Sequence, residues 1–333
     1  MAIETTASQT MKAIRVHEPG GPEVLRGEDV TVGDPGAGEA RIRHTAIGLN
    51  YVDVYYRTGL YKAPSYPFIP GSEAAGVVEA VGPGVNDIKP GMRVAYGAAP
   101  LGAYSQARLI PADRLVPLPD GIDDRTAAAM MLKGMTVHYL LLRIGQIKKG
   151  DTILVHAAAG GVGLIACQWA RTLGATVIGT VGSDEKAALA RAHGCEHTIV
   201  YTREKFVHRV REITGGKGVR AVYDSVGRAT LLGSVECLQA FGIVALFGQS
   251  SGPVPPFDLG LLARGSNFIT RPSIFHYVAA REDLLAAARA LFDVVLSGTV
   301  KIEVRQTYPL SDAARAHRDL ESRKTTGSTV LLP

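Results

Sequence analysis

The chain has 333 residues, of which 46% are hydrophobic and 20% are charged, a composition that excludes disordered and fibrous proteins. A chain of this length is expected to form about two domains with large cores. Its formal charge is +5, but the basic residues are dispersed and form no long run, so the charge predicts weak nucleic-acid binding at most.

The first ten residues, Met1–Thr10, form a predicted N-terminal extension. They lack the basic start and the apolar core of a signal peptide, and no later stretch is apolar enough to predict a transmembrane helix. The three cysteines, Cys167, Cys195 and Cys237, have no CxxC spacing, which argues against a disulfide framework. These features predict a cytoplasmic protein whose folded part starts at Met11.

The segment Lys12–Pro119 is predicted to be mainly β-structure. Short apolar runs separated by Gly or Pro are typical of strands, and here they read KAIRV, EARIRHTAI, AAGVVEAV, RVAY and AYSQARLI. In EARIRHTAI, alternation places every second residue from Ala40 to Ala46 on one face. One helix interrupts the strands, because Asn50 is a suitable N-cap for YVDVYYRT and Gly59 a suitable end.

After Asp123 the pattern changes to helices, predicted in DRTAAAMMLKG and MTVHYLLLRI, and then to strands and helices in alternation. The alternating strands are predicted at Thr152–His156, Thr176–Val181, His197–Tyr201, Ala221–Asp224 and Ile243–Phe247. The helices between them are predicted at Gly163–Leu173, Asp184–His193, Lys205–Thr214 and Thr230–Leu238. This alternation is typical of a doubly wound parallel sheet with right-handed crossovers. A long amphipathic helix, REDLLAAARALFDVVLSG, and the strands VRQTYPL and STVLLP follow.

A glycine-rich turn joins the first alternating strand to its helix in DTILVHAAAGGVGLIACQWA. Gly160 and Gly163 are three residues apart, and Ala157 takes the place of the first glycine in the commoner GxGxxG pattern. In a dinucleotide fold, such a turn lets the backbone approach the pyrophosphate, toward which the N-terminal N–H groups of the helix point. The alternative is a tight turn in any α/β protein, but the strand–turn–helix context favours dinucleotide binding. A Walker motif is excluded because no GKS or GKT follows.

The end of the second alternating strand indicates which dinucleotide binds. An acidic residue there binds the ribose 2′-OH of NAD, whereas basic residues without an acid suit the 2′-phosphate of NADP. The strand ends in Gly182 and Ser183, Lys186 follows on the next helix, and Tyr201 is predicted nearby. Lys186 alone is equally compatible with a solvated helix lysine, and the two acids beside it oppose a phosphate. We favour NADPH.

Longer motifs give the chain a family resemblance that covers nearly everything from Met11 to Pro333. They read GGPEVL, GLNYVDVYYRTGLY, PGSEAAGVVEAVGPGV, LKGMTVHYLL, HAAAGGVGLIACQWA, YDSVG, TRPS and ESRKTTGS. With these motifs the chain resembles the medium-chain dehydrogenase/reductase superfamily and, within it, the bacterial NADPH:quinone oxidoreductases, which are relatives of zeta-crystallin. The resemblance implies an α/β protein with a GroES-like, mainly β catalytic domain (residues 11–132 and 273–333). It also implies a Rossmann domain with a doubly wound parallel sheet that binds NADPH (residues 133–272).

The alcohol dehydrogenases of this superfamily hold a catalytic zinc with a cysteine in a GxCxxD segment and a histidine in a GHE segment. This chain has Asn50 and Ser72 at those positions, so two zinc ligands are missing. A second candidate cluster, His193, Cys195 and His197, lies where a predicted helix ends and a strand begins, so its side chains need not converge. We predict no metal.

The resemblance also implies the residues of the site. Asn50, Tyr55 and Tyr61 are expected at the mouth of a cleft between the domains. There the tyrosines would sandwich an aromatic ring or donate a hydrogen bond to its oxygen, with ordinary packing as the alternative. Cofactor contacts are expected from Asn50, Thr136, Ala159, Gly160, Gly161, Val162, Gly163, Gly182, Ser183, Lys186, Tyr201, Ser225, Phe247, Gly248, Ser250, Arg271 and Arg323. No side chain is assigned as a catalytic acid or base.

Without a metal to polarise a carbonyl, the acceptor must be reactive by itself, and a quinone is, because its product becomes aromatic. The prediction is therefore NADPH-dependent reduction of a small-molecule quinone in a zinc-free cleft, and the resemblance implies a homodimer. Two alternatives stay open. One is NADPH-dependent reduction of the double bond of alkenals or enones, and the other is a crystallin-like role in binding single-stranded nucleic acid.

Overall fold

The computed structural model describes residues 8–98 and 100–333. The chain forms two compact units. Unit 1 comprises the residues up to Leu132 together with Ala280–Arg289 and Glu303–Pro333, and unit 2 comprises Lys133–Ala279 and Ala290–Ile302.

The strands and helices are numbered along the chain. The strands are β1 (Gln9–Arg15), β2 (Arg26–Val32), β3 (Glu39–Leu49), β4 (Glu73–Val81), β5 (Arg93–Gly97), β6 (Ala107–Pro111), β7 (Val116–Pro117), β8 (Thr152–Val155), β9 (Thr176–Val181), β10 (His197–Val200), β11 (Val219–Asp224), β12 (Leu238–Leu246), β13 (Phe268–Thr270), β14 (Val304–Pro309) and β15 (Ser328–Leu332). The helices are α1 (Tyr51–Arg57), α2 (Asp124–His138), α3 (Gly161–Thr172), α4 (Asp184–Ala192), α5 (Phe206–Ile213), α6 (Leu231–Glu236), α7 (Ile274–Tyr277), α8 (Arg281–Leu296) and α9 (Ala313–Glu321). None of the helices formed by the described residues is long and apolar enough to cross a membrane.

The central sheet of unit 1 explains the β-rich pattern in the first third of the chain. Its strands follow the order β14-β15-β3-β4-β5-β7, with β6 also paired to β3, while β1 and β2 form a separate antiparallel pair. In β3, every second residue from Ala40 to Ala46 is buried, and of the residues between them Arg43 and Thr45 are exposed whereas Arg41 is buried. The alternation read from the sequence is therefore confirmed, as is the mainly β character of this part of the chain.

The end of the chain returns to the sheet of unit 1. Strand β15 pairs antiparallel with β3, with Thr329 opposite Leu49 and Leu331 opposite Ile47. The two predicted C-terminal strands are therefore confirmed, and the last of them lies beside the residues that precede Asn50.

At the other end of the chain, the predicted extension Met1–Thr10 lies outside the described residues up to position 7. Its last two residues already belong to β1. The first strand therefore begins two positions before Met11, where the folded part was expected to start.

The sheet of unit 2 is parallel, and the doubly wound fold predicted from the sequence is confirmed. Its strands follow the order β10-β9-β8-β11-β12-β13 with parallel pairing throughout. The predicted elements from Thr152 to Leu238 agree with β8–β11 and α3–α6 to within two residues at each end. In sheets of this kind, ligands bind at the carboxyl ends of the strands where the strand order reverses, which here is between β8 and β11.

Two predicted boundaries are wrong. The segments DRTAAAMMLKG and MTVHYLLLRI form one continuous helical stretch, in which α2 runs through Gly134 to His138 and continues as a π-helix over Tyr139–Ile144. A side chain at Gly134 would overlap that of Leu291 in α8, so this glycine permits close packing of two helices. Strand β12 begins at Leu238 rather than at Ile243, because Leu238 already pairs with Val219 of β11.

Candidate active site

The glycine turn between β8 and α3 has the backbone that the sequence predicts. Ala157 has a φ of +53°, the left-handed conformation that glycine favours, and so takes the role of the missing first glycine. Gly163 has no room for a side chain, since a Cβ atom there would lie 2.7 Å from Ala158 Cα. Gly160 is the N-cap of α3, whose first N–H groups have no carbonyl partner within the helix. A dinucleotide pyrophosphate therefore fits this turn.

The residues predicted at the 2′-phosphate come together at the ends of β9 and β10. A Cβ atom at Gly182 would lie 2.9 Å from the hydroxyl oxygen of Tyr201, so the tyrosine covers this glycine. Ser183 is the N-cap of α4, and its Oγ accepts a hydrogen bond from the backbone N–H of Lys186 at 3.3 Å. These four residues form one polar surface beside the N-terminus of α4.

The two acids beside this surface have hydrogen-bond partners. Arg203 donates to both carboxylate oxygens of Asp184, with 2.7 Å between Nη1 and Oδ2, and this pairing lowers the pKa of the Asp184 carboxyl. A hydrogen bond from Ser183 lowers the pKa of the Glu185 carboxyl. Sequence reasoning missed Arg203, although an arginine three residues after the third strand is a signal for a charge at this edge. Because Asp184 is paired with Arg203, it opposes a phosphate less than its sequence position suggested.

The loops after β11, β12 and β13 bring further predicted cofactor residues to the same edge of the sheet. A Cβ atom at Gly248 would lie 2.6 Å from the carbonyl oxygen of Ser225, which also accepts the backbone N–H of Ser250 at 3.1 Å. Arg271 donates from Nη1 to the carbonyl oxygen of Leu246 at 2.9 Å. The predicted residues at this edge are Ser225, Phe247, Gly248, Ser250 and Arg271, and those in or next to the turn before α3 are Ala159, Gly160, Gly161, Val162 and Gly163. Thr136 lies in the buried part of α2 and is 5% exposed.

A buried hydrogen-bond network that sequence reasoning did not identify supports these loops. Asp224, at the end of β11, accepts a hydrogen bond from Ser234 Oγ at 2.8 Å. Ser234 lies 3.0 Å from His156 Nε2, and Thr180 lies 2.9 Å from His156 Nδ1. Burial lowers the pKa of His156, so the imidazole is neutral at pH 7. The network joins the carboxyl ends of β8, β9 and β11 and so fixes the loops that carry the predicted cofactor residues.

In unit 1, Asn50 is held at the start of α1 by two carboxylates. It is the N-cap of this helix, and its backbone N–H donates to Asp53 Oδ2 at 2.9 Å, which completes a capping box. Its side-chain amide donates to Glu73 Oε2 at 2.7 Å, and Glu73 Oε1 accepts the backbone N–H of Leu132 at 2.7 Å. The predicted helix with Asn50 as N-cap is therefore confirmed, and the Asn50 side chain is fixed in one orientation.

The tyrosines of α1 and the following loop form a cluster of rings. The centroid of Tyr55 lies 5.4 Å from that of Tyr51 and 5.0 Å from that of Tyr61. Because the rings of Tyr55 and Tyr61 contact each other, no flat ring fits between them in this conformation. The expected sandwich is therefore wrong here, whereas the hydrogen-bonding alternative stays a prediction. Sequence reasoning also missed Tyr51, which extends the cluster.

A buried network fixes α1 to α9, the helix that precedes Arg323. Arg57 is 1% exposed and pairs with both carboxylate oxygens of Glu321, at 2.8 and 2.9 Å. Arg57 also lies 3.1 Å from Nδ1 of His317, whose Nε2 lies 3.0 Å from the hydroxyl of Tyr104. Burial, and then the charge of Arg57, lower the pKa of His317 to about 3. Arg323 itself has a φ of +59° just after the end of α9.

Similarity to known proteins covers both units. Residues 36–120 match the family described as "Alcohol dehydrogenase GroES-like domain", and residues 161–291 match that described as "Zinc-binding dehydrogenase". The quinone oxidoreductase of Pseudomonas aeruginosa is 51% identical to this chain over 97% of the chain and 99% of that protein. The chain belongs to the quinone oxidoreductase family. The resemblance read from its motifs is therefore confirmed.

Two further members of this group bear on chemistry. The crystal structure of the Escherichia coli quinone oxidoreductase complexed with NADPH has a TM-score of 0.94, with 50% identity over 97% of this chain and all of that chain. The 2-haloacrylate reductase of a Burkholderia species is 49% identical over 96% of this chain and 98% of that protein. A protein named for a different acceptor is therefore about as similar to this chain as the quinone oxidoreductases are.

The positions that hold zinc ligands in the alcohol dehydrogenases hold other groups in this chain. Asn50 donates to Glu73, as described above, and Ser72 is fully buried. The side chains of the HGCEH segment do not converge, since His193 Nδ1 bonds the carbonyl of Leu189 and the Cys195 thiol bonds that of His197. Within residues 8–98 and 100–333, no three His, Cys, Asp or Glu side chains are grouped to hold a metal ion.

Proposed function

We propose that the chain reduces quinones with NADPH. The observation that carries this proposal is the similarity, at about half of all positions and over nearly the full length, to quinone oxidoreductases, one of them crystallised with NADPH. The surface formed by Gly182, Ser183, Lys186 and Tyr201 supports the choice of NADPH over NADH, because it contains a lysine and its nearest aspartate is paired with Arg203.

The proposed roles of the residues follow from their positions. NADPH supplies the reducing equivalents, so that NADPH, a quinone and a proton give NADP⁺ and a hydroquinone. The turn from Ala157 to Gly163 binds the pyrophosphate, and Lys186 binds the 2′-phosphate. Asn50 and Tyr61 orient the acceptor, and orientation of this kind can lower a barrier by roughly 7–11 kcal/mol. The product oxygen has an acidity near that of tyrosine, about 10, so water can supply its proton.

Replacing Lys186 with alanine is expected to raise the KM for NADPH about 10-fold and that for NADH less than about 2-fold, because only NADPH carries the charge that the lysine binds. Steady-state kinetics with both cofactors measures the difference. Arg191→Ala is the matched control, since it removes a charge from the exposed side of the same helix, α4. Equal losses with NADPH and NADH for Lys186→Ala would remove this residue from the 2′-phosphate site.

The proposed function is tested by an acceptor panel. NADPH absorbance is followed with 1,4-benzoquinone, 9,10-phenanthrenequinone, 2-chloroacrylate or an alkenal as the acceptor, and rapid oxidation with the quinones is expected. The similarity to the 2-haloacrylate reductase makes reduction of an activated double bond the second candidate function. Oxidation of NADPH with only 2-chloroacrylate or the alkenal would reject quinone reduction in favour of this second candidate.

We also propose that the enzyme is a cytoplasmic homodimer. Strand β13 is an edge strand of the unit 2 sheet, and Phe268 on it is 55% exposed, a combination that favours pairing with a second copy. Sedimentation equilibrium is expected to give twice the chain mass. A single-chain mass at micromolar concentration would contradict the proposal.

A further inference from the structure

The hydroxyl of Ser72 stands out among the buried polar groups of unit 1. Ser72 is 0% exposed, and its Oγ has no hydrogen-bond partner among the residues that the structure describes. Buried hydroxyls are nearly always paired, because an unpaired one has lost its bonds to water without replacement. Ser105 shows the usual situation in the same unit, since it is equally buried and its Oγ donates to the carbonyl of Gly102 at 2.9 Å.

Both sequence neighbours of Ser72 are connected to Asn50 through direct contacts. On one side, Glu73 accepts the Asn50 side-chain amide at 2.7 Å. On the other side, a Cβ atom at Gly71 would lie 2.8 Å from Cε1 of Tyr104, so the backbone passes directly over this ring. The hydroxyl of Tyr104 donates to Asp53 Oδ2, which also accepts the backbone N–H of Asn50. Ser72 therefore lies in the same corner of unit 1 as the residue proposed to orient the acceptor.

The backbone on both sides of Ser72 is held in place by hydrogen bonds. The carbonyl oxygen of Gly71 accepts the backbone N–H groups of Gly102 and Ala103, at 3.0 and 3.1 Å. Glu73 opens strand β4, whose pairing with β5 starts at this residue. An unpaired buried donor on a backbone fixed in this way requires an explanation, and a hydrogen bond to a bound ligand is one.

We propose that the Ser72 hydroxyl donates a hydrogen bond to the quinone oxygen on which negative charge develops as the reducing equivalents arrive. This proposal rests on the proposed function. The serine keeps its proton, and the proton that completes the hydroquinone comes from water, so the overall reaction is unchanged. The bond strengthens as charge develops, because the hydroxyl is shielded from water, and it therefore stabilises the transition state more than the bound quinone.

Three variants test this role: Ser72→Ala, which removes the hydroxyl, Ser72→Thr, which keeps it, and Ser105→Ala, which removes a hydroxyl that already has a partner. For Ser72→Ala we expect kcat/KM for 1,4-benzoquinone to fall about 10- to 100-fold while the KM for NADPH changes less than about 2-fold. The loss in kcat/KM is expected to be larger with a less oxidising, methyl-substituted quinone, because its reduction depends more on the hydrogen bond from Ser72. Ser72→Thr is expected to retain most of the activity.

Thermal unfolding separates this role from a structural one. Ser72→Ala is expected to leave Tm unchanged or to raise it, whereas Ser105→Ala is expected to lower Tm by about 2 °C or more and to leave kcat/KM unchanged. The inference is overturned if Ser72→Ala matches the wild type in kcat/KM, if its loss is the same for every quinone, or if its Tm falls as far as that of Ser105→Ala. If none of the quinones tested supports oxidation of NADPH by the wild type, the proposed function fails and this inference fails with it.

Discussion

Replacing Gly163 with alanine is expected to weaken NADPH binding at least about 10-fold and to lower the free energy of unfolding by about 1–3 kcal/mol. The added Cβ atom would lie 2.7 Å from the Cα and the carbonyl carbon of Ala158 and closer still to the carbonyl oxygen of Ala157. These are backbone atoms, and the Ala157 carbonyl is held by the N–H of Gly160 at 2.9 Å. The helix would have to move away from the turn, and its N–H groups would move with it. Calorimetric titration with NADPH and unfolding in urea measure the two effects.

Gly33→Ala is the control for this substitution, because a Cβ atom there meets nothing within 4 Å. Both NADPH affinity and the unfolding free energy should stay close to those of the wild type. If Gly163→Ala also binds NADPH normally, close approach of α3 to the turn is not required for the cofactor.

Replacing Glu321 with glutamine is expected to lower the free energy of unfolding by about 3 kcal/mol, because it leaves the buried charge of Arg57 without a counter-charge. The guanidinium is 1% exposed and forms two hydrogen bonds with this carboxylate, at 2.8 and 2.9 Å. His317 cannot compensate, since its imidazole is neutral at pH 7, with a pKa lowered to about 3, and supplies no negative charge. The expected loss is at the lower end of the range for buried pairs, because Glu321 itself is 31% exposed. Urea unfolding monitored by far-UV circular dichroism measures it.

The control lies on the same helix. Arg315 pairs with Asp319 at 4.0 Å and is 67% exposed. Exposed pairs of this kind contribute little, so Arg315→Gln should change the unfolding free energy by less than about 1 kcal/mol. If Glu321→Gln and Arg315→Gln lowered the free energy of unfolding by similar amounts, burial of Arg57 would not strengthen the contribution of its ion pair to stability.

The elements and the local motifs could be predicted from the sequence because they depend on neighbouring residues. Each of these features depends on residues only a few positions apart: the alternation in β3, the succession of strands and helices in unit 2, and the turn at Gly160. Predictions failed where a local pattern is determined by a residue far away in the sequence. Gly134 looks like a helix end, yet it is required by Leu291, a residue far along the chain that packs against it.

Much of the site could not be predicted, because it depends on contacts between distant segments. The pairing of Asp184 with Arg203 joins α4 to the residues after β10 and weakens the repulsion that the aspartate would exert on a phosphate. The ion pair of Arg57 and Glu321 joins residues from opposite ends of the chain. The burial of Ser72 was also invisible, since its sequence position indicated only a missing zinc ligand.

The position of β15 has a consequence for folding during synthesis. All of unit 2 leaves the ribosome before Ser328–Leu332, the strand that pairs with β3 beside Asn50. The dinucleotide-binding sheet can therefore form while β3 is still unpaired at Ile47–Leu49 on the side that β15 later covers. Such an open edge is a site for incorrect pairing with other chains, so the risk of aggregation is concentrated in the interval before the last strand is made. A nascent chain stalled at this stage would have the parallel sheet of unit 2 but not the strand that pairs with β3 beside Asn50.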